Sequence, residues 1–259
     1  MTKNRPPAQR MREQRAQEAA IYGENACRAA LLSRFDDVVK AFFTDETAPR
    51  FADAMRALAA SRKAYKVVDE AELERITGSN HHGGVSLVVK KPPVISALDY
   101  LHAMSEASHD CVLALDGISN PHNLGAIMRS AAHFGVQGLI LPDPDLLFSG
   151  AAARVAEGGA EVLYPIQGQD FIAVLSLFRK AGYALLTTSS HRGKDLYRTK
   201  LPAKTVIVFG EEQSGVSKKV ATMGDLPIKI PGTGAVESLN VSVATALILG
   251  EWWRQEGAN

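Results

Sequence analysis

The stretch CVLALDGISNPHNLGAIMRSAAHFGVQGLIL, residues 111–141, decides the fold class of this chain. It opens with an unbroken apolar run, which is typical of a strand buried on both faces of a parallel sheet. A loop, an amphipathic helix and a second apolar run follow it. Because a strand, a crossover helix and a parallel strand make a βαβ unit, this stretch predicts a layered α/β domain.

The same alternation continues towards the C-terminus. Further segments pair a strand with a helix or a Gly-rich loop, and an apolar helix closes the chain: 149–163, 170–190, 205–217, 226–234 and 238–255. We therefore expect a doubly wound, mostly parallel sheet over residues 109–259. Its ligand-binding loops should follow the carboxyl ends of the strands.

A smaller α/β pattern precedes this domain, and it alternates amphipathic helices with β-branched strands from Ile21 onwards. A Pro pair at residues 92 and 93 marks a boundary. We expect a domain over residues 19–92 and a linker helix in residues 93–108. Residues 1–18 form a basic arm, which either contacts phosphates or is a solvated, disordered tail.

Composition narrows the class of protein. The formal net charge is only +1, which argues against indiscriminate binding of polyanions by the whole surface. Cys27 and Cys111 cannot build a disulfide framework or a cysteine-rich zinc site, so we predict that both lie in the core. The start of the chain lacks the apolar stretch of a secretory signal, and no apolar run is long enough to span a membrane. We therefore expect a cytoplasmic protein that does not enter membranes.

The common nucleotide, hydrolase and metal motifs do not occur in this sequence. There is no G-x-G-x-x-G directly after the first strand, no G-x-x-x-x-G-K-[ST], no G-x-S-x-G and no H-E-x-x-H. His81 and His82 are adjacent, so on an extended segment they point in divergent directions, which disfavours a metal site. We predict no metal.

Loops in the second half of the chain share an unusual composition that mixes Gly with amides, hydroxyls and single charges. Each follows an apolar strand: LDGISNPHNLGAIMR (115–129), FGEEQSG (209–215) and IPGTGAVESLN (230–240). Loops at the carboxyl edge of one sheet present main-chain N–H and C=O groups to a ligand. The composition therefore predicts that these loops form one site.

These loops resemble the signature motifs of the SpoU-type (TrmH-type) RNA 2′-O-ribose methyltransferases of the SPOUT superfamily. Motif one is NLGAIMR (123–129), motif two is GEEQSG (210–215), and motif three is Ile230-Pro231 followed by SLNVS (238–242). The resemblance implies a C-terminal trefoil-knotted domain that binds S-adenosyl-L-methionine and pairs as a homodimer.

The N-terminal part is similar to the small RNA-binding domain that precedes the catalytic domain in many members of this family. Short matches carry this similarity: YGEN at residues 22–25 and HGGV at residues 82–85. It implies an α/β/α, ribosomal-protein-like sandwich that binds structured RNA. The sequence leaves open whether that RNA is tRNA or rRNA.

The resemblance also implies which residues form the site. Cofactor contacts would come from the main chain and from threonines at the end of a strand: Gly210, Ile230, Pro231, Leu239, Thr187 and Thr188. The catalytic set would comprise Arg129, Asn123, Glu212, Ser238 and Asn240.

In that set, Arg129 would act on the ribose 2′-hydroxyl. A guanidinium stays protonated near neutrality and is a reluctant base, so we assign it to phosphate anchoring and to support of the forming alkoxide. Direct proton abstraction stays open. Asn123 would orient Arg129 or the ribose, Glu212 would hold the arginine by a charge-assisted hydrogen bond, and Ser238 with Asn240 would complete the polar floor.

Structural roles compete with several of these assignments. Asn123 and Ser238 each stand before an apolar helical run, so either could be a helix cap. Arg129 could be a surface arginine on an otherwise apolar helix. Trp252 and Trp253 fit packing or a subunit interface better than RNA stacking.

Other functions remain as alternatives. A non-catalytic RNA-binding or ribosome-assembly factor could keep this fold, and a relative in the superfamily could methylate the base instead of the ribose.

Overall fold

The computed structural model describes residues 16–190, 192–211 and 214–257. Its strands are β1 Glu18–Tyr22, β2 Val38–Phe43, β3 Ala64–Val67, β4 Val85–Lys90, β5 Asp110–Asp116, β6 Gly138–Leu141, β7 Tyr164–Gln167, β8 Ala184–Thr188, β9 Lys194–Asp195, β10 Lys204–Gly210 and β11 Leu226–Lys229. Its α-helices are α1 Glu24–Ser33, α2 Ala52–Ala60, α3 Glu70–Thr77, α4 Ala97–Ala103, α5 Pro121–His133, α6 Gly150–Ala156, α7 Phe171–Lys180, α8 Lys218–Met223 and α9 Val241–Trp252. A π-helical turn, Trp253–Gly257, follows α9.

The first compact unit comprises the described residues up to Pro92 together with Phe148–Glu161. Its sheet has the order β1-β4-β2-β3, in which β1 and β2 run antiparallel to β4 and β3 runs parallel to β2. Large apolar side chains with no more than 2% exposure, such as Phe43, Phe51 and Leu58, fill its core.

The first strand of this unit, β1, was not predicted, because the α/β pattern was taken to begin at Ile21 with a helix opened by Gly23, Glu24 and Asn25. Ile21 and Tyr22 end strand β1, where they pair with Leu87 and Ser86 of β4. Gly23 then separates strand from helix with a φ of 95°, a conformation that glycine adopts readily because it has no Cβ. A single apolar pair fits both periodicities, so the pattern alone did not distinguish strand from helix.

Residues 148–161 pack in the first unit, although the sequence analysis expected them in the domain over 109–259. Helix α6 lies against β1 so closely that a Cβ added to Gly150 would be 2.4 Å from the Tyr22 ring. Ala153 joins the core of this unit, and Arg34 donates to Glu161 in an ion pair at 3.0 Å. The alternation of helix and strand shows local structure, but it does not show against which core a helix packs.

The second unit comprises Pro93–Leu147 and the described residues from Val162 onwards. Among the described residues, its sheet has the order β7-β6-β5-β10-β8-β11-β9, and every pairing is parallel. The expected α/β class with a mostly parallel sheet is therefore confirmed. β9 and α8 are additions, since the sequence analysis assigned neither.

The expected linker in residues 93–108 contains helix α4, which belongs to the core of the second unit. Tyr100 of α4 is 2% exposed and packs against Phe178, with ring centroids 6.0 Å apart. Its hydroxyl donates to the Asp110 carboxylate at 3.1 Å, and the Tyr183 hydroxyl donates to the same group at 2.6 Å. Burial raises the pKa of the Asp110 carboxyl despite these hydrogen bonds.

Both cysteines lie in the cores, as predicted: Cys27 is 0% and Cys111 1% exposed. Burial raises the pKa of each thiol, which makes these cysteines poor nucleophiles. Within the described residues, no helix is both long and apolar enough to cross a bilayer.

Candidate active site at the carboxyl edge of the second sheet

The parallel sheet brings its loops to one edge. The carboxyl ends of β5, β10, β8 and β11 lie side by side, and the chain order along the sheet reverses between β5 and β10. Such a reversal opens a crevice in which ligands of α/β proteins bind. All of the predicted site motifs begin at this edge.

Asp116 connects the first loop to the residues that directly follow the second loop. It is the last residue of β5, and its Oδ2 accepts a hydrogen bond from the Ser217 main-chain N at 2.8 Å. A Cβ added to Gly117 would lie 3.7 Å from the Glu211 Cβ, which shows how closely these loops approach. Asp116 was not among the predicted site residues, since its only signal in the sequence is a carboxylate at the end of a buried strand.

Asn123 and Asn240 connect the first and third loops. Asn240 Nδ2 donates to Asn123 Oδ1 at 3.0 Å, although 117 positions separate the residues. Asn240 Oδ1 accepts from the Ser242 main-chain N at 2.9 Å and from the Ser242 hydroxyl at 2.6 Å. This second set of bonds fixes the Asn240 amide, so its NH₂ group points to Asn123. The structure thus brings together two of the predicted catalytic residues.

The capping alternative for Asn123 and Ser238 is wrong. Asn120 caps α5, because its Oδ1 accepts from the His122 main-chain N at 2.9 Å. Asn240 caps α9 through its bonds to Ser242. Asn123 lies inside the first turn of α5, and Ser238 lies in the exposed loop before the α9 cap.

Arg129 is exposed on α5, whose opposite side buries Leu124, Ile127 and Met128. Within the part of the chain that the structure describes, its guanidinium has no hydrogen bond or ion pair. Arg129 follows Asn123 by six positions, and at about 100° per residue the two point about 120° apart around the helix. The two side chains therefore leave α5 in different directions, and the role of Asn123 towards Arg129 or the ribose stays a prediction.

Glu212, the predicted partner of Arg129, lies outside the described residues together with Gln213. Its role stays a prediction. On either side of these two residues, Gly215 N donates to Glu211 O at 2.8 Å. A Cβ added to Gly210 would lie 2.0 Å from the Gly215 carbonyl carbon, so only glycine lets the chain return here.

The side chains of Thr187 and Thr188, which were predicted to contact the cofactor, make contacts within the protein. Thr187 is 5% exposed, and a Cβ added to Gly224 would lie 2.7 Å from its methyl group. Thr188 Oγ1 donates to Val208 O at 3.0 Å and so ties β8 to β10. Their role in cofactor binding stays a prediction.

The third loop is open. Ile230 is half-buried, whereas residues 231–240 are all exposed and form neither helix nor strand. Pro231 and Ser238 lie in this stretch, and Leu239 exposes 44% of its surface. This loop therefore offers main-chain polar groups beside apolar side chains.

The C-terminal tryptophans have different environments. Trp252 is 4% exposed and donates through Nε1 to Pro202 O at 3.2 Å, whereas Trp253 is 44% exposed. The predicted packing role is therefore confirmed for Trp252.

Residues 110–250 match the family described as the SpoU rRNA Methylase family. The chain belongs to this family. Residues 20–94 match a second family, described as RNA 2′-O ribose methyltransferase substrate binding. The resemblance drawn from the motifs is thereby confirmed for both parts of the chain.

Relatives of this SpoU-family chain match nearly its whole length. An uncharacterized tRNA/rRNA methyltransferase, YfiF, of Escherichia coli O157:H7 is 52% identical, with 96% of this chain and 71% of the relative covered. The 23S rRNA (guanosine-2′-O-)-methyltransferase RlmB of Vibrio cholerae is 31% identical, with 92% and 98% covered. The crystal structure of the SpoU methyltransferase AviRb from Streptomyces viridochromogenes, in complex with the cofactor AdoMet, has a TM-score of 0.74 at 24% identity. It covers 95% of this chain and 93% of that one, and it shows the shared fold.

Proposed function

We propose that this SpoU-family chain transfers the methyl group of S-adenosyl-L-methionine to a ribose 2′-hydroxyl of structured tRNA or rRNA. The observation that carries the proposal is the Asn240–Asn123 hydrogen bond, which joins motifs one and three at the carboxyl edge beside motif two. Membership of the family and the activity named for RlmB support it.

The residues at this edge fit the cofactor. An adenosyl group needs main-chain donors and acceptors beside apolar surface. The exposed loop 231–240 supplies the polar groups, and Ile230 and Leu239 supply the apolar ones. Gly210, Thr187 and Thr188 contribute main chain at the adjoining strand ends. The bound cofactor supplies an electrophilic sulfonium methyl group.

Residues of this chain position and activate the hydroxyl. Arg129 holds an RNA phosphate and stabilises negative charge that develops on the 2′-oxygen, because its guanidinium is exposed and makes no hydrogen bond or ion pair to the described residues. Asn123 and Asn240 form a fixed amide pair that orients the ribose. Ser238 and Glu212 complete this polar surface.

We infer that the expected trefoil knot involves the connection from β8 to β9. These strands lie on opposite sides of β11, and the end of β8 and the start of β9 both pair with Ile228. Ser189 N donates to Ile228 O at 3.0 Å, and a Cβ added to Gly193 would lie 2.9 Å from the Pro227 and Ile228 carbonyl carbons. Gly193 therefore permits a close crossing.

A homodimer that shares its sites also forms part of the proposal. Apolar side chains of α9 face solvent, with Val243 48% and Leu247 38% exposed, next to Leu239 and Trp253. An exposed apolar stripe on an otherwise buried helix favours a subunit interface. The outward direction of Arg129 suits a site shared with a second copy. The cytoplasmic location stays a prediction.

The remaining part of the proposal concerns the domain over residues 19–92, which would hold the RNA. The match to the substrate-binding family supports this role. Removal of residues 1–92 would leave Phe148–Glu161 without its core, so point variants on the surface are the better probes.

Nucleoside-resolved maps of 2′-O-methylation test the proposal in cells. RNA from cells with and without this protein should differ in methylation at a defined ribose. Expression of the Arg129→Ala variant in cells without the protein should not restore that methylation. Identical maps, together with retained RNA binding and no cofactor binding by isothermal titration, would establish the non-catalytic alternative instead.

A further inference from the structure

Residues 192–200, RGKDLYRTK, form a basic and aromatic segment at the outer edge of the second sheet; we call it the edge segment. It carries four cations against one carboxylate, a net charge of +3 in a chain whose total is +1. The cations and the aromatic residue are all exposed: Arg192, Lys194, Tyr197, Arg198 and Lys200. This charge is therefore concentrated and accessible.

The fold holds the edge segment in a defined shape. Leu196 is 0% exposed and anchors it, and Asp195 Oδ1 accepts from Tyr197 N at 2.9 Å. Gln255 fastens its far end, because its side chain donates to Thr199 O at 3.1 Å and accepts from Leu201 N at 2.8 Å. Tyr197 thus stands on a rigid turn with 51% of its surface in solvent.

The edge segment lies beside the candidate active site. Lys194 and Asp195 form β9, which pairs with Ile228 and Lys229 of β11. Paired strands lie about 4.8 Å apart. The residue after Lys229 is Ile230, where the third loop begins, so the edge segment flanks the place that we assign to the cofactor.

We propose that the edge segment binds the single-stranded RNA that flanks the methylated nucleotide. Tyr197 stacks on an unpaired base, and the surrounding cations contact phosphates. A nucleotide that presents its 2′-hydroxyl to a loop must leave its own stack, and an exposed rigid aromatic ring replaces the lost contact. This inference rests on the proposed function and names the RNA contacts of that same site.

Fluorescence anisotropy with a labelled single-stranded 20-nucleotide RNA of mixed sequence tests the stacking contact. Tyr197→Ala should weaken binding about tenfold, a typical cost of losing one stacked base, while Tyr197→Phe keeps affinity. A matched control is Tyr164→Ala, since Tyr164 is 48% exposed on β7 at the opposite edge of the sheet. The same RNA in a perfect duplex should show no Tyr197 effect.

The cations are tested by salt dependence. Each change among Arg192→Gln, Lys194→Gln and Arg198→Gln should lower the slope of log Kd against log salt by about 0.7, the value for single strands. Lys180→Gln, an exposed cation away from the edge segment, should leave the slope unchanged.

Several outcomes would overturn this inference. The wild-type chain would fail to bind the single-stranded probe, or Tyr197→Ala would bind it with wild-type affinity. Tyr164→Ala would lose as much RNA affinity as Tyr197→Ala. Alternatively, Tyr197→Ala would also lose affinity for S-adenosyl-L-methionine or the ability to self-associate. Failure of the proposed function has a different signature: the wild-type chain binds the RNA through Tyr197 yet transfers no methyl group to any RNA.

Discussion

The amino and carboxyl edges of the second sheet differ in the environment of their polar side chains. At the amino edge, Asp110 is enclosed and receives hydrogen bonds from Tyr100 and Tyr183. At the carboxyl edge, Arg129 and the residues of the loop 231–240 are exposed to solvent. One sheet thus separates groups that hold the fold from groups left available for a ligand. Substitutions at the two edges should therefore move different observables.

The largest expected effect is that of Arg129→Ala. Loss of a group that stabilises charge in the transition state costs about 10²- to 10³-fold in kcat, while the exposed side chain contributes little to folding. Single-turnover methyl transfer and a urea titration measure the two quantities. Arg129→Lys, which keeps the charge but loses the planar fork, should recover only part of the rate.

Near-normal turnover in Arg129→Ala would remove this residue from the chemistry. A large fall in its free energy of unfolding would place Arg129 with the structural groups instead and would break the contrast between the edges.

A smaller effect is expected from Gly210→Ala. The new Cβ would collide with Gly215, and such crowding costs about 1–3 kcal/mol of stability, so the second loop should shift and bind S-adenosyl-L-methionine more weakly. Isothermal titration measures this loss. Gly250→Ala is the control, because its Cβ would meet only Phe134, at 3.4 Å. Unchanged cofactor affinity in Gly210→Ala would show that the second loop does not shape the cofactor site.

The Asn123–Asn240 pair sharpens the comparison, because Asn240 both stabilises the fold and belongs to the candidate site. Asn240→Ala should lower the free energy of unfolding by about 1 kcal/mol more than Asn123→Ala, since only Asn240 also caps a helix. Both should reduce methyl transfer. A double-mutant cycle on stability should give a coupling of about 0.5–1.5 kcal/mol, and additive effects would contradict the hydrogen bond.

The smallest expected effect concerns pH at the amino edge. Because the pKa of Asp110 is raised in the folded state, its contribution to stability is complete below about pH 4 and decreases as pH rises through the folded pKa. Asp110→Asn removes this dependence. Relative to wild type, the variant should gain stability as the pH rises from 4 to 7 in urea titrations. A constant difference across this range would contradict the assignment; the exposed Asp53→Asn is the control.

Most strands of the second unit could be predicted from the sequence, whereas the contacts between its loops could not. Buried parallel strands such as β5 and β10 are long apolar runs, and each was predicted near its true position. β9 has only two residues, too few for a periodic pattern. The packing of α6 with the first unit is a tertiary choice that periodicity does not encode.

The candidate site shows the same limit. Asn123 and Asn240 could be named from their motifs, but their direct hydrogen bond depends on how α5 and α9 pack. Asp116 was missed because a carboxylate at a strand end has no distinctive spacing. Thr187 was named correctly as a residue of β8, yet its side chain packs against Gly224.

Mass spectrometry of RNA digested after in vitro reaction tests the central claim most directly. The full chain, S-adenosyl-L-methionine with a labelled methyl group, and unmodified tRNA or rRNA would be incubated and the RNA reduced to nucleosides. The account predicts a labelled methyl group on the ribose of one nucleoside, absent with Arg129→Ala. A label on the base, or no transfer to either RNA by a chain that binds the cofactor, would contradict it.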